Sequence, residues 1–204
     1  MDKSGNKIGI IGGTFDPVHT GHLIIAEKAR EEFGLEKVFF IPAGIPPHKK
    51  IFFAPAFQRL KMIEMAIESN PFFEALSIEM DVSKPSYTFD TVSLMERDYP
   101  FSMIHLIVGE DAFRDLPTWR NYQLLVKKVI FLVARREADK PFKFLDTKGL
   151  RYNLIDSPYM EISSSYIRNC LNCGKTVKYL IPDKVIEYIR RNELYGFEND
   201  KGKN

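Results

Sequence analysis

The chain has 204 residues, of which 45% are hydrophobic and 27% charged, a composition typical of one globular domain with a substantial core. Lys plus Arg number 29 and Asp plus Glu 27, and this formal net charge of +2 argues against nucleic acid as a partner. Two cysteines, Cys170 and Cys173, are too few for a disulfide framework. No apolar run approaches the roughly 20 residues of a membrane span. We therefore expect a cytoplasmic protein without a membrane partner.

Short, almost wholly apolar runs predict strands that are buried on both faces, as in a parallel sheet. These runs cover residues 7–11, 37–41, 103–108 and 129–134. Residues 76–80 alternate apolar with polar side chains, which predicts a strand nearer the edge of the sheet. Tyr152–Ile155 is a weaker strand prediction.

Helical patterns lie between these runs. Residues 21–33 place Leu23, Ala26 and Ala29 near one face and stop at Gly34, a residue suited to the position after a helix. Further helices are predicted at residues 57–68, 87–97 and 183–192, and a helix start at residues 162–168. Alternation without a repeat or a linker predicts one α/β domain over residues 1–204, with helices on both faces of a doubly wound, mainly parallel sheet.

Ligands of such sheets bind at the carboxyl ends of the strands, and the loop after the first strand, residues 12–22, carries the chemistry. It is neither a dinucleotide fingerprint nor a P-loop. Its glycines let a backbone approach a phosphate, and the following helix start offers free N–H groups. His19 and His22 share a helical face there, and three interpretations compete: a zinc site, which lacks further ligands nearby, packed or capping histidines, and a phosphate contact.

The same loop, GGTFDPVHTGH, resembles the H-x-G-H signature of the nucleotidyltransferase superfamily, and its fuller string resembles the nicotinate-nucleotide adenylyltransferase family. Five more segments resemble that family in order along nearly the whole chain. They are IPPHK at 45–49, PSYTFDT at 85–91, GED at 109–111, LPTW at 116–119 and ISSSYIR at 162–168. H-x-G-H alone is shared by several activities, whereas PSYTFDT and LPTW are much more specific.

The resemblance implies a Rossmann-like fold and transfer of AMP from ATP to nicotinate mononucleotide, giving deamido-NAD and pyrophosphate in NAD biosynthesis. Mg²⁺ is the expected cofactor, held mainly through the ATP phosphates and not by protein ligands. The implied catalytic residues are His19, His22 and Arg168. The implied ATP contacts are Gly12, Gly13, Thr14, Phe15, His22, Ser164, Ser165 and Arg168. The implied mononucleotide contacts are Lys49, Tyr87, Thr88, Gly109, Asp111, Trp119 and Arg135.

Residue chemistry supports several of these roles and leaves simpler alternatives open. The serines of residues 162–168 suit a helix cap, and the same free N–H groups suit a phosphate. Asp111 follows a strand end, where a carboxylate accepts from a ribose hydroxyl or favours the helix dipole. Trp119, the only tryptophan, packs in the core or stacks on a flat ligand. Lys49 and Arg135 are solvated cations or phosphate contacts.

The choice between nicotinate and nicotinamide mononucleotide as the AMP acceptor depends on one group of the pyridine ring. The carboxylate of the nicotinate form only accepts hydrogen bonds, whereas the amide of the nicotinamide form also donates them. Residues 85–88 and 117–119 both have the pattern of a helix start, with Ser86 and Thr118 as candidate caps, and such N–H groups favour an anion. We therefore expect nicotinate mononucleotide. The alternatives are nicotinamide mononucleotide, another acceptor such as pantetheine phosphate, and a non-catalytic nucleotide sensor. A homo-oligomer is left open.

Overall fold

The computed structural model describes residues 6–45, 52–81, 85–135 and 147–196. Its centre is one sheet of six parallel strands. Strands β1 to β6 are Lys7–Gly13, Lys37–Pro42, Phe73–Ala75, Met103–Gly109, Ile130–Ala134 and Tyr152–Ile155. The four predicted apolar strands and the weaker one at Tyr152–Ile155 are confirmed, with ends that differ by at most two residues.

The strand order β3-β2-β1-β4-β5-β6 places the start of the chain in the middle of the sheet. From β1 the chain moves outward to β2 and β3, and it then returns to β4 on the other side. This reversal is a topological switch point, and it leaves a crevice at the carboxyl ends of β1 and β4 where ligands bind.

The described part of the chain has seven α-helices. Helices α1 to α7 are Thr20–Phe33, Ala56–Ile67, Thr88–Asp98, Glu110–Arg114, Tyr122–Lys128, Ser164–Asn172 and Asp183–Arg191. Gly34 follows α1 with a φ of 65°, the left-handed conformation expected of a glycine in that position. Leu116–Thr118 and Leu194–Gly196 are short 3₁₀ turns.

The core consists of two apolar clusters, one on each face of the sheet. One packs against α1, α2, α6 and α7, and the other against α3, α4 and α5. Neighbouring strand residues belong to opposite clusters: Ile10 and Phe39 lie in the second, and Ile11 and Phe40 in the first. This burial on both faces explains the continuous apolar runs and confirms the predicted fold class.

The strand predicted at residues 76–80 is wrong, because this segment is a loop. The chain turns after β3, and the Met80 N–H donates to the Ser77 carbonyl at 3.0 Å. The Glu79 carbonyl lies so close to Gly44 that a Cβ there would be 2.1 Å away. The alternating pattern therefore belongs to a loop packed across the end of β2.

Candidate active site

The first loop begins where β1 ends. Gly12 and Gly13 are the last strand residues and pair with Ile41 and Pro42. The chain then turns at Phe15, whose φ of 50° lies in a region that bulky side chains rarely adopt. Such a conformation costs on the order of 1–3 kcal/mol and persists when surrounding structure holds it. Burial does so here, because Phe15 is only 2% exposed.

His19 and His22 stack on each other where α1 begins. Their ring centroids are 3.6 Å apart and their planes differ by 21°. The His19 N–H donates to Nδ1 of His22 at 3.2 Å, and the Phe15 ring meets the His22 ring edge-on, with centroids 4.9 Å apart. A neutral His22 that accepts at Nδ1 carries its proton on Nε2, so Nε2 is a hydrogen-bond donor.

Gly21 gives the two imidazoles room to stack. A Cβ at this position would lie 3.1 Å from Nδ1 and 3.3 Å from Cε1 of His19. Contacts that short would push the His19 ring away from its place. The glycine between the histidines therefore serves the geometry of the pair.

The start of α6 packs against this loop. Ser163 is the N-cap, and its Oγ accepts a first-turn N–H at 3.2 Å, which confirms the predicted capping by this serine segment. Ser164 Oγ donates to the Pro17 carbonyl at 2.8 Å. Arg168 Nη1 donates to the Asp16 carbonyl at 2.7 Å. Two side chains of α6 therefore hold the backbone of the histidine loop.

Arg168 is oriented by two further contacts. Its Nη2 donates to Ser165 Oγ at 3.1 Å, and its guanidinium carbon lies 4.1 Å from the centroid of the Phe53 ring. Stacking on an aromatic ring and a hydrogen bond together limit the directions in which the planar guanidinium can point.

A cleft of about 380 Å³ lies between the loop and α6. It is lined by Thr14, Phe15, Asp16, His19, His22, Phe53, Ser163, Ser164, Ser165 and Arg168. The predicted catalytic residues and ATP contacts thus come together, except that Gly12 and Gly13 end β1 just before the cleft. A helix start, an imidazole donor and a guanidinium lie around one space, and such an arrangement suits phosphate groups.

Several predicted mononucleotide contacts follow the ends of neighbouring strands. Gly109 ends β4, and Asp111 is exposed in the first turn of α4. Glu110 beside it is 3% exposed and forms an ion pair at 2.5 Å within α4, so Asp111 is the carboxylate that reaches the surface. Arg135 follows β5 and is half-buried. Lys49 lies outside the described residues.

The remaining predicted mononucleotide contacts, Tyr87, Thr88 and Trp119, lie near Arg120. Helix α3 begins at Thr88 with Tyr87 as its N-cap. The Arg120 guanidinium lies 4.6 Å from the centroid of the Tyr87 ring and pairs with Asp90 at 3.2 Å. Trp119, the residue before Arg120, is half-buried against the cluster that includes α3 residues. The start of α3 and the Trp119 segment are therefore neighbours.

Both predicted caps on this side are wrong. Ser86 precedes the N-cap of α3, and its hydroxyl accepts the Gly44 N–H at 3.1 Å. Thr118 ends a 3₁₀ turn, and its hydroxyl donates to the Asp115 carbonyl at 2.7 Å. The backbone is extended directly afterwards, and α5 begins only at Tyr122. One helix start, not two, lies in these segments.

The cysteines are free thiols, with Cys170 buried in the core and Cys173 exposed. Across residues 6–45, 52–81, 85–135 and 147–196, no three His, Cys, Asp or Glu side chains cluster as metal ligands. Over the same ranges, no helix has both the length and the apolar character needed to cross a membrane.

Three charged residues at the site were not singled out by the sequence patterns: Asp16, Arg59 and Arg120. Arg59 is 1% exposed and shares the buried face of α2 with Met62 and Ile63. Its spacing of three and four residues from those apolar positions is a signal for the buried face. Asp16 and Arg120 offer no comparable signal, because their partners are distant in sequence.

Comparison with known proteins agrees with this fold. The profile of the Cytidylyltransferase-like family matches residues 10–170. The match contains the histidine loop, most of β1, all of β2 to β6 and most of α6. The fold and the site therefore define a nucleotidyltransferase of the cytidylyltransferase-like class.

Relatives narrow this class. The chain is 41% identical over 199 residues to a probable nicotinate-nucleotide adenylyltransferase from Dictyoglomus turgidum, a match that spans 96% of this chain and 98% of the relative. It is 40% identical over 193 residues to the nicotinate-nucleotide adenylyltransferase of Bacillus subtilis, spanning 93% and 98%. The chain belongs to the nicotinate-nucleotide adenylyltransferase family.

A solved structure supports the fold. Plasmodium falciparum nicotinic acid mononucleotide adenylyltransferase complexed with NaAD superposes with a TM-score of 0.80. The match covers 95% of this chain and 98% of that chain at 22% sequence identity. The Rossmann-like arrangement of strands and helices is therefore shared at low sequence identity.

Proposed function

We infer that the protein transfers the AMP group of ATP to the phosphate of nicotinate mononucleotide, forming deamido-NAD and pyrophosphate in NAD biosynthesis. Family membership supports this reaction. One structural observation carries it: the stacked histidines, the first turn of α6 and Arg168 line a single cleft beside the switch point of the sheet.

The acceptor is already a competent nucleophile. A phosphate monoester has its second pKa near about 6, so it is largely dianionic at neutral pH. One of its oxygens forms a bond to the α-phosphorus of ATP, while the bond from that phosphorus to the pyrophosphate oxygen breaks. Neither a general base nor a protein nucleophile is required, and catalysis depends on alignment and on stabilisation of negative charge.

The residues of the ATP half supply these two effects. We assign the Nε2–H of His22 to the charge that develops on the transferred phosphate. The first-turn N–H groups at Ser164 and Ser165, together with Arg168, would hold the leaving phosphates, and their positions along one cleft support this role. His19 orients His22 through the stacked ring and the hydrogen bond from its backbone.

A divalent metal ion accompanies ATP in enzymes of this class, and we propose Mg²⁺. Mg²⁺ commonly keeps several waters and binds through substrate phosphates, so the proposal needs few protein ligands. The Asp16 carboxylate already accepts two backbone N–H groups and the hydroxyl of Tyr195. When bound, the ion offsets negative charge on the phosphates.

We propose that the mononucleotide half prefers the nicotinate form. The first-turn N–H groups of α3 lie on the side of Trp119, beside the Arg120–Asp90 ion pair, and N–H donors favour a carboxylate. The ring would stack on Trp119, while Asp111, Arg135 and Lys49 would hold the ribose and phosphate. An amide would direct an NH₂ group at donors, and a buried mispairing costs about 1–3 kcal/mol.

The decisive experiment compares kcat/KM for nicotinate and nicotinamide mononucleotide at saturating ATP, with pyrophosphate release as the readout. We expect at least a tenfold preference for the nicotinate form, since about 1.4 kcal/mol corresponds to tenfold. Equal values or a preference for nicotinamide would contradict the acceptor assignment. If pyrophosphate is released with pantetheine phosphate but with neither mononucleotide, the pyridine acceptor is rejected. If pyrophosphate is released with none of the three acceptors, adenylyl transfer is rejected.

We propose further that residues 1–204 act as one domain in the cytoplasm. The six strands form one sheet, which supports a single catalytic unit. Both thiols are free, as in a reducing compartment. Homo-oligomerisation stays a prediction, and sedimentation velocity of the purified protein would test it.

A further inference from the structure

Arg59 is a charged residue inside the core. It is 1% exposed and lies in the first turn of α2, on the same face as Met62 and Ile63. Withdrawing a cation from water is costly unless its donors are satisfied and an opposite charge is near. The contacts of Arg59 are therefore expected to be specific.

The Arg59 guanidinium donates to carbonyl groups from three different segments. Nη1 donates to Thr14 at 2.6 Å, Nη2 to Gly44 at 3.2 Å and Nε to Ala54 at 3.2 Å. Because the guanidinium is planar and rigid, these three bonds have fixed relative directions. One side chain thus sets the position of three backbone segments relative to one another.

Asp16 balances the charge through the same segment. Its carboxylate accepts the N–H groups of Phe53 and Ala54 at 2.9 Å and 3.2 Å, and the Tyr195 hydroxyl at 2.7 Å. The Ala54 residue therefore bonds to Asp16 through its N–H and to Arg59 through its carbonyl. Burial lowers the pKa of the Arg59 guanidinium and the Asp16 charge opposes that shift, and an arginine keeps its proton at neutral pH.

The segments held by Arg59 belong to the two halves of the proposed active site, the ATP loop and the acceptor side. Thr14 lies in the ATP loop and lines the cleft. Gly44 follows β2 and donates its N–H to Ser86 Oγ at 3.1 Å, and the Ser86 N–H donates to the Ile45 carbonyl at 2.8 Å. Ser86 leads directly into the start of α3. A continuous series of hydrogen bonds therefore runs from the ATP loop through Arg59 to the acceptor side.

We propose that Arg59 is a positioning residue that sets the distance and angle between the ATP loop and the acceptor side. This inference rests on the transfer reaction proposed above, in which alignment of two substrates is the main source of catalysis. Arg59 lies beneath both halves and outside the cleft lining, so it acts through Thr14 and Gly44. Its contribution should appear only when both halves are occupied.

Arg59→Lys tests this role while keeping the buried charge. A lysine ammonium lacks the planar fork and cannot bond to three carbonyls in those directions. We expect kcat to fall by about 10- to 100-fold, because a displacement of about 1 Å costs on the order of 10²-fold. Calorimetric affinities for ATP alone and for nicotinate mononucleotide alone should change by less than about threefold, since each ligand occupies one half.

The dinucleotide product supplies a second readout because it spans both halves. Its affinity for Arg59→Lys should fall by about tenfold or more, since linking two ligands helps only when the geometry allows both to bind. Arg30→Lys is the matched control. Arg30, in the last turn of α1, pairs with Glu27 at 2.6 Å and lies over the Phe72 ring, and it does not line the cleft. Its kcat and three affinities should stay within about twofold of wild type.

Two results would overturn the proposal. One is a folded Arg59→Lys protein with wild-type kcat. The other is an equal loss of all three affinities with kcat unchanged, the pattern of a residue that only stabilises the fold. Failure of the wild-type protein to join ATP and nicotinate mononucleotide would instead reject the reaction, so the two hypotheses fail in different ways.

Ser86→Ala tests the other end of the same series if Arg59→Lys does not fold. It removes the bond from Gly44 without changing a buried charge. We expect kcat to fall by about three- to tenfold, the effect of one hydrogen bond, with both single-substrate affinities retained. An unchanged kcat in this variant would also overturn the proposal.

Discussion

The two halves of the proposed active site, called here the ATP half and the acceptor half, are built in different ways. The ATP half is one loop and one helix start, and side chains of α6 bond to the carbonyls of Asp16 and Pro17 in that loop. The acceptor half consists of separate segments: those that follow β4 and β5, and the start of α3. Its described parts meet through a few side-chain contacts, such as those of Arg120 with Tyr87 and Asp90.

This difference suggests a division of labour. A continuous loop held from several sides suits the phosphates that every adenylyl transfer shares. A half assembled from independent segments can change its acceptor without disturbing that loop, and for this reason one fold supports many specificities. Substitutions in the ATP half should therefore reduce turnover, and those in the acceptor half should change one affinity.

The largest effect is expected for His22→Ala in the ATP half. Loss of one preorganised donor should reduce kcat by about 10²–10³-fold in a pyrophosphate-release assay at saturating substrates. His105→Gln, which changes a buried histidine of β4 outside the cleft lining, is the control and should keep wild-type turnover. Near-normal turnover in a folded His22→Ala protein would show that His22 does not stabilise the charge on the transferred phosphate.

A smaller effect, confined to one substrate, is expected for Trp119→Ala. Loss of ring stacking should weaken nicotinate mononucleotide binding by about 1–3 kcal/mol, as for bases stacked on aromatic side chains. The ATP affinity should change by less than about twofold, and Trp119→Phe should lie between wild type and Trp119→Ala. Calorimetry with each substrate measures the two affinities. If ATP binding weakens as much as nicotinate mononucleotide binding, Trp119 does not belong to the acceptor half alone.

The smallest effect is expected at His105, which should change stability but neither half of the site. Burial lowers the pKa of its imidazole below 6.5, and the charges of Lys7 and Arg151 add to the shift. The folded protein then binds fewer protons than the unfolded chain. Stability is full above about pH 6.5 and falls below it, by at most about 1.4 kcal/mol per pH unit, until the folded-state pKa is reached.

Urea unfolding of wild type and His105→Gln at about pH 7 and about pH 5.5 measures this dependence. The wild-type protein should lose stability at the lower pH, and the variant should lose less. Identical pH dependence of the two proteins would show that His105 does not titrate as its burial indicates. A change in either substrate affinity would show that the sheet transmits effects to the site.

The geometry of the proposed ATP half could be predicted from the sequence in part because its loop is contiguous. Glycines, a helix start and two histidines within residues 12–22 have geometry that local backbone rules determine. The start of α6 could be predicted for the same reason, since a serine cap acts within its own turn. The acceptor side was harder to predict, and both helix caps predicted there were wrong. The Ser86 hydroxyl instead accepts the distant Gly44 N–H, and the Thr118 hydroxyl donates to the carbonyl of Asp115 in its own turn.

The sequence by itself determined five of the six strands, most helices, the histidine loop and the family, because each depends on periodicity or on short motifs. Only the tertiary structure decided which backbone groups Asp16 and Arg59 contact and that Arg120 lies on Tyr87. The Tyr195 hydroxyl reaches Asp16 across 179 positions, and Arg59 reaches Thr14 across 45. Charged residues look like solvated surface in a linear sequence, and they become buried partners only when the packed sheet brings distant backbone groups within hydrogen-bond reach.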